Sequence, residues 1–85
     1  MYRLVTARQA GQILSARRKL LGMSQSAVAA GLGISQNRLS ELETHPERLT
    51  LERLISLAGL LGLELVLRDK ASGNESHDGP AAAEW

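Results

Sequence analysis

A chain of 85 residues makes one domain at most. A domain this small buries a smaller share of its surface than a larger one does, so a second copy is an expected source of stability. It contains no cysteine, which excludes a disulfide framework, a thiolate metal site and a thiol nucleophile, and a cytoplasmic setting fits best.

The net charge of +1 hides an asymmetry: residues 1–40 carry Arg3, Arg8, Arg17, Arg18, Lys19 and Arg38 and not one acid. The last fifteen residues carry Glu75, Asp78 and Glu84 and no base, so residues 1–70 hold ten bases against six acids. The resulting +4 suits a phosphate backbone, and suits an ordinary solvated face equally well. The N-terminus lacks the order of a signal peptide, and no apolar run approaches the roughly 20 residues of a membrane helix, so no membrane association is expected.

In chain order, residues 2–5 (Tyr2, Arg3, Leu4, Val5) fit an arm or a strand. Thr6 and Gln9 have the spacing of a capping box and start a helix over about 7–21, with Ala10, Ile13, Leu14, Leu20 and Leu21 as its apolar face and Gly22 as its stop. Ser24 caps a short helix over 25–32 with Val28, Ala29 and Leu32 inward. Gly33 ends it, Ile34 plugs the turn, and Ser35 caps a third helix over 36–44 that turns Leu39 and Leu42 inward. Pro46 lies in a loop, Thr50 caps a fourth helix, and Leu51, Leu54, Ile55, Ala58 and Leu61 form its stripe, ending near Gly62.

From Leu63 to Arg68 the pattern alternates with period two, Leu63, Leu65 and Leu67 on one side, as in a half-buried strand. A lone strand leaves its backbone groups unsatisfied, so this one must pair with residues 2–5, with its copy in a second subunit, or with both; pairing across a dimer is preferred. Residues 71–85 hold no aliphatic side chain larger than alanine before Trp85, and a disordered tail is expected there. The division is thus a folded domain over 1–70 and a tail over 71–85.

Two short helices joined by a glycine turn, with a small residue (Ala29) where they cross and polar residues (Gln36, Asn37, Arg38, Ser40) facing outward, meet the needs of a helix-turn-helix. The segment SQSAVAAGLGISQNRLSELE, residues 24–43, resembles the phage-repressor (Xre-type) helix-turn-helix in its Ser-Gln opening, central Ala, Gly-Ile-Ser turn and closing Glu. The resemblance implies a mainly α fold: a four- to five-helix phage-repressor-like domain with a short C-terminal β-strand pairing across a dimer. The whole chain is similar to the HipB antitoxins, which share the helix-one Arg, the Pro-containing loop, a helix passing into a Leu-Glu-Leu strand and a polar tail ending in Glu84 and Trp85. That similarity implies a homodimer that binds palindromic operator DNA, represses its own operon, and binds and neutralises a HipA-like serine/threonine kinase toxin. A stand-alone repressor, or a module that binds only protein, is the alternative.

Gln36 opens the recognition helix, and its amide can pair with the N6 and N7 edge of adenine, a discrimination of roughly 1–3 kcal/mol. Asn37, Arg38 and Ser40 follow as base-contact candidates, Arg38 being equally suited to guanine or a phosphate. By the family pattern Gln25 and Ser35 stand at helix N-termini suited to phosphate oxygens, with Arg48 a further phosphate candidate. Arg17 and Lys19 could add backbone attraction. The resemblance also implies a buried structural ion pair between Arg18 and Glu43. Glu41 lies one turn beyond Arg38, the single base on the recognition face, and tempers the expected affinity.

Trp85, the only tryptophan, reads as a tethered aromatic anchor, in the HipB family part of the toxin contact. For catalysis the inventory is poor. His45 and His77 are far apart, and no phosphate-binding glycine loop or metal-ligand spacing occurs, so no enzyme, metal, cofactor or small-molecule substrate is expected.

Overall fold

Every α-helix of the described residues begins where a hydroxyl takes over a backbone N–H that has no partner inside the helix. The computed structural model describes residues 1–70; the tail over 71–85, and with it the expectations for Trp85 and for tail disorder, lies outside the described residues. Thr6 starts α1 (Ala7–Leu20) with a complete capping box: its Oγ1 accepts from Gln9 N at 3.3 Å, while Gln9 Oε1 accepts from Thr6 N at 3.1 Å and Val5 N at 2.6 Å. Ser24 caps α2 (Gln25–Leu32), Ser35 caps α3 (Gln36–Thr44) and Thr50 caps α4 (Leu51–Leu60), each oxygen 3.0 Å from the N–H three residues on. A one-turn 3₁₀ helix, Pro46–Arg48, links α3 to α4, and Pro46 suits its first position because that residue's N–H would be unpaired anyway.

The core is a cluster of Leu14, Val28, Ala29, Leu39, Leu57 and Leu61, with Met23, Leu32, Ile34, Leu49, Leu54 and Leu63 packed around it. Each α-helix contributes at least one member, so no helix buries its apolar side alone. The inward face of α1 is Ala10, Gly11, Leu14 and Arg18. Leu20 and Leu21, expected to point inward, are 70% and 44% exposed, because the last inward position of α1 is held by Arg18 instead. On α4 the buried residues are Leu57, Ala58 and, just past its end, Leu61, with Leu54 half-buried. Leu51 and Ile55, expected in that stripe, are 65% and 52% exposed. This helix is apolar around much of its circumference, so periodicity allowed two neighbouring stripes and packing chose the one containing Leu57.

Gly11 is a different constraint. A Cβ there would collide with the Glu43 carbonyl oxygen and stand 3.0 Å from Pro46 Cγ, so α1 crosses the end of α3 at backbone contact.

Residues 63–69 do not form a strand in the single chain, nor do residues 2–5. Leu63 is half-buried against the core, whereas Leu65, Val66 and Leu67 are exposed. The expected strand through Leu63, Leu65 and Leu67 is therefore absent at this level. A strand needs a neighbour's N–H and C=O groups, and within the chain residues 2–5 do not supply them.

Candidate nucleic-acid interface

The polar face of α3 is positioned by its apolar face. Leu39 is fully buried and Leu42 nearly so, which fixes the rotation of the helix and leaves Gln36, Asn37 and Arg38 exposed on its first turn. The turn from α2 is equally determined. Gly33 adopts φ +73°, the left-handed conformation that side-chain-bearing residues avoid, and the next amide, Ile34 N, donates back to Ala29 O at 3.0 Å. Ile34 then turns towards the core, and Ser35 starts α3. Ser35 Oγ accepts from Arg38 N, which leaves its own O–H able to donate outward.

Within this face the side chains are already engaged with one another. Gln36 Oε1 accepts from Ser26 Oγ at 3.1 Å, a contact between α2 and α3 that ties down one end of the amide and leaves the Nε2 end to solvent. Ser40 is half-buried, so its side chain reaches less far outward than expected, and its carbonyl accepts from Thr44 Oγ1. Arg38 is not alone: its Nη1 donates to Glu41 Oε1 at 2.8 Å, and Arg48 Nη1 donates to Glu41 Oε2 at 2.6 Å. One carboxylate thus spans two arginines, all three side chains being between about a third and a half exposed. The hydrogen bond from Arg38, reinforced by the positive charges of Arg38 and Arg48, holds the Glu41 carboxyl below the ordinary glutamate range.

Behind the face lies a second carboxylate with a different environment. Arg18 grips Glu43 in a two-point contact, Nε to Oε2 at 2.8 Å and Nη2 to Oε1 at 3.2 Å, with both side chains about nine-tenths buried. Arg18 Nη1 also donates to Met23 O at 3.0 Å, and Gln25 Nε2 donates to Glu43 Oε1 at 3.0 Å. The network joins the end of α1, the loop after it, the start of α2 and the end of α3. Gln25, expected at a phosphate, engages one of its two amide N–H groups on this network and is half-buried.

Two further arginines act on the scaffold. Arg17 Nε donates to Leu61 O at 2.9 Å and satisfies a carbonyl at the end of α4, so this side chain is occupied in a role that charge counting had given to backbone attraction. Arg53 Nη1 donates to Leu32 O at 3.2 Å and ties α4 to the end of α2. Neither role has a signal in the sequence, since both partners are backbone carbonyls remote in the chain.

Among the described residues no group of three or more His, Asp or Glu side chains is arranged to hold a metal ion, and no helix is long and apolar enough to cross a membrane. An open surface groove of the described residues is lined by Leu4, Pro46, Leu51 and Leu54. What the molecule presents is a convex helix with a polar leading turn, carried on a buried frame. Such a helix, held across a second by a glycine turn, defines the class of helix-turn-helix DNA-binding regulators. Residues 14–67 match the family model described as helix-turn-helix, of the Xre-like kind, and the chain belongs to that family. A comparison with curated proteins gives no match.

Proposed function

We propose that this helix-turn-helix regulator is a homodimeric antitoxin that reads operator DNA with α3, represses its own operon, and binds and neutralises a HipA-like serine/threonine kinase toxin. The observation that carries the DNA half is the exposed first turn of α3, where Gln36, Asn37 and Arg38 stand free of the core while Leu39 and Leu42 anchor the helix. That is the part of a recognition helix which meets base edges in the major groove. Gln36 is the leading base-reading residue, followed by Asn37, Arg38 and Ser40, and Gln25, Ser35 and Arg48 meet phosphates.

Homodimerisation is supported by apolar side chains that the single chain leaves uncovered: Leu51 and Ile55 on α4, and Leu65, Val66 and Leu67 beyond it. Pairing of residues 63–68 with their copy would satisfy the backbone groups left without a ladder and cover part of that surface. The toxin half rests on the chain-long similarity to HipB antitoxins and on Trp85 as its aromatic anchor; the protein acts in the cytoplasm, without a catalytic role.

The experiment is a titration of the full chain with duplex from upstream of its own gene and with random duplex, at two salt concentrations. Specific, salt-sensitive binding at dimer stoichiometry is expected; equal affinity for both duplexes sinks the operator reading. For the toxin half, Trp85→Ala is expected to weaken capture of a HipA-like kinase encoded beside the gene while DNA binding is unchanged. Undiminished capture removes Trp85 from the contact, and no kinase binding by the wild type leaves a stand-alone repressor.

A further inference from the structure

The carboxylate of Glu41 occupies both arginines of the surface that would meet DNA. Arg38 sits on the leading turn of α3 and Arg48 in the 3₁₀ turn after it, and they reach opposite oxygens of one carboxyl group, at 2.8 and 2.6 Å. Two anionic oxygens, each taking a charge-assisted hydrogen bond from a guanidinium, are what a backbone phosphate also offers. From these contacts we infer that Glu41 is a specificity-determining residue, an internal stand-in for phosphate that suppresses non-specific DNA binding by Arg38 and Arg48.

Binding a phosphate is, for these arginines, an exchange of partners. An arginine that moves from water to a phosphate gains a new ion pair and releases a counterion. An arginine paired with Glu41 gives up or shares one ion pair to form another, and the carboxylate beside it offsets part of the phosphate charge neutralised, so the net gain and the net ion release are smaller. The three side chains together carry a net +1 rather than +2, which lowers the attraction that any duplex of any sequence exerts.

Base reading is taxed less. Arg38 uses one N–H on Glu41 and keeps four more, so it can meet a neutral base edge without giving up that ion pair, whereas an anionic phosphate is repelled by the neighbouring carboxylate. The contact also holds the side chain in one arrangement, which reduces the ordering cost of a specific contact. The Glu41 side chain is 39% exposed and lies outside the core, so its replacement leaves the fold intact. The lowered carboxyl pKa is consistent with this, since it reports that the ionised form is favoured by both neighbours.

This inference rests on the DNA-binding reading, and the test separates the two. The probes are a duplex enriched from a randomised pool by the wild-type protein and a random-sequence duplex of equal length, each titrated over a salt series. Glu41→Gln is expected to bind the random duplex about 5- to 10-fold more tightly at 0.1 M salt, with the slope of log K against log salt steeper by ~0.9 for each arginine freed. Affinity for the enriched duplex is expected to rise less, so the ratio between the two falls.

The control is Glu41→Gln in an Arg38→Gln, Arg48→Gln background, where the gain should vanish. A gain of the same size there means that Glu41 acts only as a distant negative charge, and overturns the inference. Unchanged or weaker binding of the random duplex by the single variant overturns it too. Failure of the wild type to enrich any sequence or bind either duplex removes the DNA-binding reading itself, a different result. An unchanged thermal midpoint for Glu41→Gln confirms that binding, not folding, is being read.

Discussion

At the scale of single residues, two glutamates two positions apart on α3 have opposite situations. Glu43 is about nine-tenths buried and grips Arg18 in a two-point contact, whereas Glu41 is only partly buried, at the surface between two arginines. Burial decides the energetic consequence. An exposed pair contributes little to stability, but removing one member of a buried pair strands the other charge away from water. Glu43→Ala is therefore expected to destabilise the fold by about 3 kcal/mol in chemical denaturation, with Arg18 and Gln25 losing their common partner. Arg18→Met combined with Glu43→Leu should recover much of that loss; no recovery would mean that the hydrogen bonds to Met23 and Gln25, rather than the stranded charge, dominate.

Gln36 is the corresponding prediction for recognition. Gln36→Ala removes the amide from the leading turn of α3 and should cost roughly 1–3 kcal/mol in the preference for operator over random duplex, with the thermal midpoint unchanged. Ser26 holds the Oε1 end of that amide, so the outward Nε2 presents a donor. An unaltered preference would take Gln36 out of base reading.

At the scale of elements, the helix-turn-helix depends on close backbone approach as much as on its turn. Gly11 lies under the Glu43 carbonyl and Pro46, where α1 meets the end of α3. Gly11→Ala has no room for its methyl group unless one element moves, and a loss of about 1–3 kcal/mol in thermal or urea unfolding is expected. Because α3 would be the element displaced, DNA affinity should fall as well. Gly59→Ala makes a suitable control on α4, since a Cβ there meets nothing within 4 Å.

The helices themselves were legible because their signals are local. Capping hydroxyls at Thr6, Ser24, Ser35 and Thr50, and glycines past α1 and α2, fall where the structure uses them. The inward face of α4 was less legible. Its sequence LERLISLAGL offers two apolar stripes, and only contact with the rest of the core selects Leu57 over Leu51 and Ile55.

At the scale of the whole molecule, a small core is accompanied, among the described residues, by several exposed apolar side chains. Leu51, Ile55, Leu65, Val66 and Leu67 are all more than 40% exposed. Under the proposed dimer, Ile55→Asp with Leu67→Asp should shift the mass in sedimentation equilibrium towards the monomer at micromolar concentration. Operator affinity should drop more steeply than affinity for a single half-site, because two linked recognition helices bind together. An unchanged mass would place the dimer contact elsewhere.

Features carried by neighbours in the chain were readable before any fold was known: the four capped helices, the Gly-Ile-Ser turn, the burial of Leu39 and Leu42, and the outward first turn of α3. The family also follows from that local pattern, since residues 14–67 match the helix-turn-helix model as a run of sequence. Apart from the Arg18–Glu43 pair, which the family resemblance already implied, the partners of the charges came from the tertiary structure. Arg17 and Arg53 cap remote carbonyls, Gln25 joins the Arg18–Glu43 pair, and Glu41 takes Arg38 and Arg48 together. The physical reason is reach: a cap or turn is closed by residues three to five apart, whereas a long side chain chooses among whatever groups the fold brings within hydrogen-bond distance, and sequence spacing does not encode that choice.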